Sequence, residues 1–541
     1  MAPTDPLNLA YADLLAGQYD CVDRIILNAH FGFACRAGGF RYWWRTLHGS
    51  DANLDNVHLM RMAGRFSRRV RGWGQKENIP VIDCAVGERK HELAEGRLPS
   101  NPKPGIFLVL VNRAPASVWD VRHYGKCGLQ LSRKRIYVNH YTFHIWDAEW
   151  GHVAIRICGH PPFSAMLMLN GHEYVASRAV VRKIRFRKEG NCFTQFADAR
   201  GLQLVADTLR SKDAIGRLLE VGARWLYRCV CFALHSDEQK RTGFRYQLSL
   251  FQIEYSRNFL FERGGDLERM FQGLIDRTRC ALDVKAVRTI LGRKRRPPRK
   301  LKRAWEIAVE RPQYNLTVFK IRTGTLKLKM YTKGERVLRA EVTVNEVRKL
   351  RKGNSLPRWF TVIQHLYQVL NRFLAVVQCA DSATLSEDTY ESLPKPSTVG
   401  AARVAGINLA STRMAAVMES VIALSTQAGG FSSGDLALKV QERLRVPAAD
   451  YRPRHAAYDL KKLRGKNFVD KIGKSRLYQA PVQGLRTLVA LGLLLDKVFK
   501  PVLRNRNLQR GYGPLNNPID RHYYNLRQEM GRLFRTLKIA S

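Results

Sequence analysis

Residues 137–173 read YVNHYTFHIWDAEWGHVAIRICGHPPFSAMLMLNGHE and hold five of the fourteen histidines of the chain. Polar and apolar residues alternate in 137–143 and again in 152–157. This period of two predicts a pair of strands joined by a short connection. The stretch therefore indicates a sheet that carries many titratable groups, and we expect the chemistry of the protein to centre on it.

The ends of these elements decide where the polar groups meet. Pro161-Pro162 predicts the start of a helix over 163–169, and Asn170-Gly171 predicts a turn after it. Several titratable side chains then fall at element ends, where a sheet can gather them on one rim. These are Asp147, Glu149, His160 and His172.

Asp147, Glu149 and His160 form the first candidate catalytic centre. Carboxylate oxygens and an imidazole nitrogen are ligands for Mg²⁺ or Mn²⁺, and such an ion can promote phosphodiester cleavage. The alternative is a polar cluster that stabilises the sheet or contacts nucleic acid. The residues by themselves leave both interpretations open.

A second candidate centre lies upstream, where a short apolar strand over 78–83 ends in Asp83. Glu88 and Lys90 follow it, and metal-dependent nucleases use this residue set. There the carboxylates hold the ion, and the lysine stabilises the charge that develops on the phosphate. The alternative is a helix-capping region with surface ion pairs.

The charge balance indicates the class of partner. The chain of 541 residues has 91 Lys and Arg against 46 Asp and Glu, a net charge of +45. Such an excess favours binding to a polyanion, and nucleic acid (DNA, RNA or both) is the expected partner. Ten scattered cysteines without a C-x-x-C pair are typical of reduced thiols in a cytoplasmic protein. The most apolar run, over 482–502, is interrupted by charged residues, so we expect no membrane partner.

Basic residues are concentrated in three segments before the C-terminal region. The first is a predicted N-terminal helix, the second is the linker GRKRRPPRKLKR, and the third is one face of a predicted antiparallel meander over 314–344. The candidate phosphate contacts in these segments are Arg61, Arg65, Arg68, Arg69, Arg293, Lys294, Arg295, Arg296, Lys327 and Lys329.

The C-terminal region predicts a winged helix-turn-helix. Three helices are indicated over 413–464, the second of them capped by Ser432 and Asp435, and two strands around Gly473 would form the wing. The third helix is the usual groove-reading helix and the wing meets the backbone, although the same fold can also contact proteins. The candidate nucleic-acid contacts are Arg452, Arg454, Tyr458, Lys461, Lys462, Lys474 and Arg476.

Together these patterns predict an α+β, multidomain protein with mixed helical and antiparallel-sheet domains and a C-terminal winged helix. The expected segments are a basic helical N-terminal region, an α+β domain with the His/Asp/Glu cluster, a helical domain, a basic linker, a β-meander with a helix, a second linker, the winged helix and a basic helical tail. Their bounds are 1–98, 99–200, 201–291, 292–303, 304–380, 381–412, 413–503 and 504–541.

Several motifs carry a resemblance to a known family. GRFSRRVR (64–71), YVNHYTFHIWDAEWGH (137–152), YTKGERVLRAE (331–341) and YDLKKLRGK (458–466) resemble a family of bacterial proteins that often occur in several copies in one genome. The resemblance implies a link with mobile elements and carries over no catalytic residues. The segment around Tyr331 also resembles phage and plasmid replication initiators, which cleave DNA through a tyrosine.

The sequence thus predicts a nucleic-acid-binding protein of a bacterial mobile or replicating element, with metal-dependent DNA or RNA endonuclease activity as the candidate reaction. One alternative is a non-catalytic protein component of a ribonucleoprotein that binds a structured RNA. The other alternative is a replication initiator.

Overall fold

The structure is a computed structural model that describes residues 6–123, 128–278, 305–310, 316–323, 325–381, 385–427 and 429–495, with eight further positions between 521 and 532. The predicted basic linker, with Arg293, Lys294, Arg295 and Arg296, lies outside the described residues.

The strands are β1 Leu15–His30, β2 Val81–Asp83, β3 Gly105–His123, β4 Leu129–Asp147, β5 Gly151–Cys158, β6 Ala165–Asn170, β7 Phe186–Lys188, β8 Phe193–Phe196, β9 Gln247–Phe261, β10 Trp305–Glu310, β11 Leu316–Thr323, β12 Leu326–Lys333, β13 Val337–Val344, β14 Ser397–Val399, β15 Ala402–Val404, β16 Phe431–Ser432, β17 Asp470–Lys471 and β18 Leu477–Gln479.

The helices are α1 Pro6–Tyr11, α2 Ala37–His48, α3 Asn56–Lys76, α4 Lys90–Glu95, α5 Gly171–Val181, α6 Ala199–Asp207, α7 Ala214–Val230, α8 Ser236–Arg241, α9 Gly264–Thr278, α10 Trp359–Asp381, α11 Glu387–Ser392, α12 Thr412–Leu424, α13 Ser433–Leu444, α14 Pro453–Gly465 and α15 Val482–Leu493. The expected mixed α+β class is confirmed.

The chain forms two compact units, and both are discontinuous in sequence. The sheet unit comprises Gln18–Asn258 and Thr343–Leu366, and the terminal unit comprises Met1–Gly17, Phe259–Val342 and Tyr367–Ser541. Each unit contains both helices and strands, and each is built from segments that are distant in sequence.

The sheet unit contains a large mixed sheet with strand order β9-β1-β6-β5-β4-β3-β2. Strands β1, β6, β5, β4 and β3 pair antiparallel in that order, whereas β2 runs parallel to β3. The hairpin predicted from residues 137–157 is confirmed, with Asp147 opposite Gly151 and His140 opposite Cys158. Because the side chains of opposite residues share a face, this register assigns every histidine of the hairpin to one side of the sheet.

We call that side the histidine face and define it by His140, Thr142, His144, His152 and Arg156. The other side carries the apolar partners of the core. Phe66 of α3 packs there on Tyr141, with ring centroids 4.5 Å apart, and Phe143 stacks on Phe232. Burial of each such aromatic ring contributes about 2 kcal/mol to the stability of the unit.

The terminal unit contains the strand order β10-β11-β12-β13 and, further along the chain, a small sheet with the order β16-β18-β17. The three strands predicted over 314–344 are confirmed as β11, β12 and β13. Helices α12, α13, α14 and α15 share one apolar core with the small sheet. Its members include Val417, Val421, Phe431, Leu436, Val440, Leu460, Leu463, Val469 and Leu488.

Two predictions of secondary structure are wrong, and a third is incomplete. The N-terminal region contains the expected helices, α2 and α3, but also the long strand β1, and β9 replaces part of a predicted helical segment. The helix predicted over 163–169 is instead strand β6, in which Ala165, Leu167 and Leu169 are buried and the residues between them are half-buried. In the part of the chain that the structure describes, no helix is both long enough and apolar enough to cross a membrane.

Candidate nucleic-acid interface

Helix α14 presents a cationic face to solvent. It begins after Arg452, with Pro453 at its first position, and it buries Ala456, Leu460 and Leu463 against the core of its module. Arg454 and the residues four, seven and eight positions after it share the side of the helix that is opposite to these buried residues. The four outward residues are Arg454 and Tyr458, which are exposed, and Lys461 and Lys462, which are half-buried.

The charge of this face is not neutralised by neighbouring carboxylates. Among the described residues, none forms an ion pair with Arg454, Lys461 or Lys462, and the Lys462 ammonium lies 5.1 Å from the Tyr458 ring centroid. The single carboxylate of α14, Asp459, is buried and accepts from the Tyr451 hydroxyl at 2.9 Å and from Arg413 at 3.0 Å. It therefore holds the module together and leaves the outer cations available to an anion.

The turn between β17 and β18 extends this basic surface. Lys471, Lys474 and Arg476 are exposed there, and Gly473 has a φ of +50° that allows the chain to reverse. The turn is anchored where Tyr478 of β18 pairs with Phe431 of β16. The Ser432 hydroxyl accepts from the Asp435 N–H at 3.2 Å at the start of α13, as the predicted cap requires.

Two of the four predicted phosphate contacts on α3 are directed into the fold and not to solvent. Arg65 donates to Glu238 Oε1 at 3.2 Å and to the Ala233 carbonyl at 2.9 Å. Arg69 is half-buried, and burial together with the nearby Arg65 lowers the pKa of its guanidinium. Only Arg61 and Arg68, of the four predicted contacts in α3, are exposed.

The lysines of the predicted meander are also partly neutralised. Lys329 Nζ donates to Glu341 Oε1 at 2.8 Å, and the Tyr331 hydroxyl donates to Glu341 Oε2 at 2.8 Å. Glu341 is buried, whereas Lys327 is half-buried. Tyr331, the candidate nucleophile of a replication initiator, thus lies in a hydrogen-bonded network between β12 and β13.

Asp147 ends β4 and serves the hairpin instead of an open site. Its Oδ1 accepts from the N–H groups of Glu149 and Trp150 at 2.9 Å, and its Oδ2 accepts from Trp225 Nε1 at 2.7 Å and Arg224 Nη1 at 2.5 Å. Burial would raise the pKa of this carboxyl, but these hydrogen bonds outweigh burial and hold the pKa below its ordinary value. Each oxygen of this carboxylate thus accepts two hydrogen bonds from the protein.

Glu149 and His160 do not complete a metal site with Asp147. Glu149 forms ion pairs with Arg178 and Arg217, and the His160 Nδ1 lies 3.1 Å from the Pro161 carbonyl oxygen. Asp147 is at the turn before β5, whereas His160 follows the other end of this eight-residue strand, about 25 Å away. The expectation of one shared rim is therefore wrong, since the strand itself separates the residues.

The second predicted cluster is divided between the two faces of the sheet. Asp83 pairs in register with Val111, which lies opposite Tyr141, and its carboxylate accepts from Arg71 of α3 at 2.8 Å and 2.9 Å. Lys90 interacts instead with His140 and Arg156 on the histidine face. Glu88 caps the local turn by accepting from the Ala85 N–H at 2.9 Å, so the three residues do not converge.

No group of three or more His, Cys, Asp or Glu side chains suited to hold a metal ion occurs within the described ranges. Arg156 was not predicted as a functional residue, although the period of two in β5 places it beside the histidines. Among the predicted contacts that the structure describes, α14 with the following turn carries the largest group of cations without an ion pair, whereas α3 contributes Arg61 and Arg68. Comparison of the chain with protein-family models, with curated proteins and with solved structures finds no match.

Proposed function

We propose that residues 412–493 form a winged helix-turn-helix module that binds duplex DNA, with α14 in the major groove and the β17–β18 turn on the phosphate backbone. The order of elements supports this proposal. Helix α12 is followed by β16, by α13 and α14, and then by β17 and β18, with β18 central in the small sheet. In helix-turn-helix proteins the second helix of the pair reads the groove, and α14 holds that position.

The observation that carries the proposal is the outward face of α14. Arg454, Lys461 and Lys462 lie on one side of the helix, and no described carboxylate pairs with them. Arginine can donate to guanine in the major groove, and lysine can donate to a base edge or to phosphate. Tyr458 adds a planar group with a hydroxyl on the same side.

Duplex DNA fits this face better than duplex RNA. The major groove of B-form DNA, about 12 Å wide, admits an α-helix, whereas the major groove of A-form RNA is too narrow for side chains on a helix. The resemblance to multi-copy bacterial proteins supports the further proposal that the DNA belongs to a mobile or replicating element. The proposal contains no metal-dependent step, because β5 separates His160 from Asp147 and Glu149, and both carboxylates are paired with arginines.

Fluorescence anisotropy of the full-length protein tests this function. The probes are a labelled DNA duplex, an RNA duplex of the same sequence and one single DNA strand. We expect the DNA duplex to bind most tightly, and we expect the double substitution Arg454→Ala and Lys461→Ala to weaken its binding by roughly tenfold to a hundredfold.

Lys439→Ala is the control, because it also removes a positive charge from the module, but at a lysine of α13 that is paired with Glu442 Oε2 at 2.9 Å and lies outside the face of α14. The control should bind the DNA duplex as wild type does. Wild-type affinity of the double variant, or equal affinity of wild type for the RNA duplex, would show that α14 does not read a DNA groove.

A further inference from the structure

Arg156, in the middle of β5, is a half-buried cation on the histidine face. Within the described ranges its guanidinium forms no ion pair, and its Nε is buried without a hydrogen-bond acceptor. Burying a guanidinium without an anionic partner is unfavourable, since the lost hydration is not replaced. The arrangement therefore favours a ligand that accepts hydrogen bonds and carries negative charge.

The strand register surrounds Arg156 with further polar groups. Thr142 of β4 lies directly opposite it, His140 is the next residue of β4 on the same face, and Asn112 of β3 lies opposite His140. Directly opposite residues have Cβ atoms about 5 Å apart, so these side chains border one small patch. Asn112 Oδ1 is also buried without a partner in the part of the chain that the structure describes.

A second cation reaches the patch from α4. This short helix packs Leu93 and Ala94 on Leu108 and Leu110 of β3, which places Lys90 over the same side of the sheet. Burial and the nearby Arg156 lower the pKa of Lys90. Burial, followed by Arg156 and Lys90, lowers the pKa of His140 to about 4. Two cations and a neutral imidazole thus lie close enough to affect one another's charge, and no described carboxylate is among the groups that raise the pKa of Lys90, His140 or Arg156.

We propose that Arg156 and Lys90 form a phosphate-binding site on the histidine face, with Thr142, His140 and Asn112 at its edge. The guanidinium fork can donate two parallel hydrogen bonds to phosphate oxygens, and the ammonium can donate to a third. Thr142 supplies a hydroxyl donor. The phosphate group can belong to a nucleic-acid backbone or to a free phosphate, and both present the same oxygens. This site is independent of the proposed DNA-binding module, since it uses other residues in the other unit.

Thermal unfolding of the full-length protein in phosphate and in chloride, at equal ionic strength, tests the site. Inorganic phosphate should raise the Tm of wild type on the order of 3 °C near saturation. Arg156→Gln and Lys90→Gln should each abolish this increase. Lys76→Gln, which removes an exposed lysine at the end of α3, should keep it.

The chloride measurement separates binding from stability. If Arg156 only supports the fold, Arg156→Gln lowers the Tm equally in both salts and the phosphate-dependent increase survives, which would overturn the proposal. Should Arg156→Gln fail to fold, Lys90→Gln decides the question, because Lys90 lies at the start of a surface helix. An increase of wild-type size in Lys90→Gln would then contradict the site.

A competition experiment identifies the source of the phosphate. Short oligothymidylate is titrated into wild type and into Lys90→Gln, and its effect on the phosphate-dependent increase in Tm is recorded. If the oligonucleotide replaces inorganic phosphate in wild type, the site binds a nucleic-acid backbone. If it does not, the site binds free phosphate. Both results require that the increase be lost in Lys90→Gln.

Discussion

At the residue scale, the histidines of β4 and β5 behave as neutral, hydrogen-bonded parts of a sheet. His144 Nδ1 lies 2.9 Å from His152 Nε2, and both rings contact Phe107. Burial and the neighbouring His152 lower the pKa of His144 to about 3. The histidine-rich sequence of this sheet therefore forms a region where protonation is unfavourable in the folded state. The density of histidines does not by itself indicate a metal site.

This burial predicts a loss of stability in mild acid. The unfolded chain binds a proton at His144 near pH 6.5, whereas the folded protein binds it only near pH 3, so the stabilising contribution is complete above pH 6.5 and falls as pH decreases towards 3. Between about pH 7.5 and about pH 5, His144 should account for a loss of about 2 kcal/mol. Urea unfolding at both pH values should show this loss reduced in His144→Gln.

His91→Gln serves as the control for this measurement, because His91 is exposed. It should lose as much stability as wild type between the two pH values. An equal loss in His144→Gln would mean that another group causes the acid sensitivity.

At the element scale, Asp147 ties the β4–β5 turn to α7. It accepts two backbone N–H groups of the turn and the side-chain donors of Arg224 and Trp225 in α7. The aspartate at the end of a strand thus joins two elements of the core. The same four hydrogen bonds explain why this carboxylate, although it lies beside a surface cleft with Glu149 and Arg178, is not free to hold a cation.

Asp147→Asn should reduce the free energy of unfolding by about 3 kcal/mol, because the side-chain amide cannot accept from all four donors and leaves Arg224 without its counter-charge. Chemical denaturation of the full-length protein measures this loss. Asp83→Asn breaks an exposed pair with Arg71 and should cost at most about 1 kcal/mol. A wild-type unfolding curve for Asp147→Asn, combined with a loss of Mg²⁺ binding, would instead support the metal site.

The elements that could be predicted from sequence are those with one polar face. The β4–β5 hairpin, the meander and the capped α13 show a clear period or a cap. Strands β1 and β9 show no such period or cap, because most residues on both of their faces are buried. The polar residues of the two strands pair with each other. Asp20 of β1 accepts from Arg257 Nε of β9 at 2.6 Å and from the Tyr255 hydroxyl at 2.8 Å. Such pairs depend on a register that local periodicity does not contain.

At the scale of the whole molecule, composition indicates a polyanionic partner but not where it binds. Arg65, Arg71 and Lys329 were equally basic in sequence, yet each is paired with a carboxylate. The outward cations of α14 could be predicted because helical spacing alone separates them from the buried Leu460 and Leu463. The predicted metal centre could not be judged from sequence. Only the folded sheet shows that β5 separates His160 from Asp147 and Glu149.

The salt dependence of duplex DNA binding tests the central claim most directly. The full-length protein and its triple variant Arg454→Ala, Lys461→Ala, Lys462→Ala are titrated with a labelled DNA duplex between about 50 and 200 mM salt. Each lost phosphate contact reduces the slope of log K against log salt by about 0.9, and the two lysines can contact phosphate, so we expect a slope shallower by about 1 to 2 and weaker binding throughout. Two superimposable lines for wild type and variant would contradict the assignment of α14 as the DNA-binding helix.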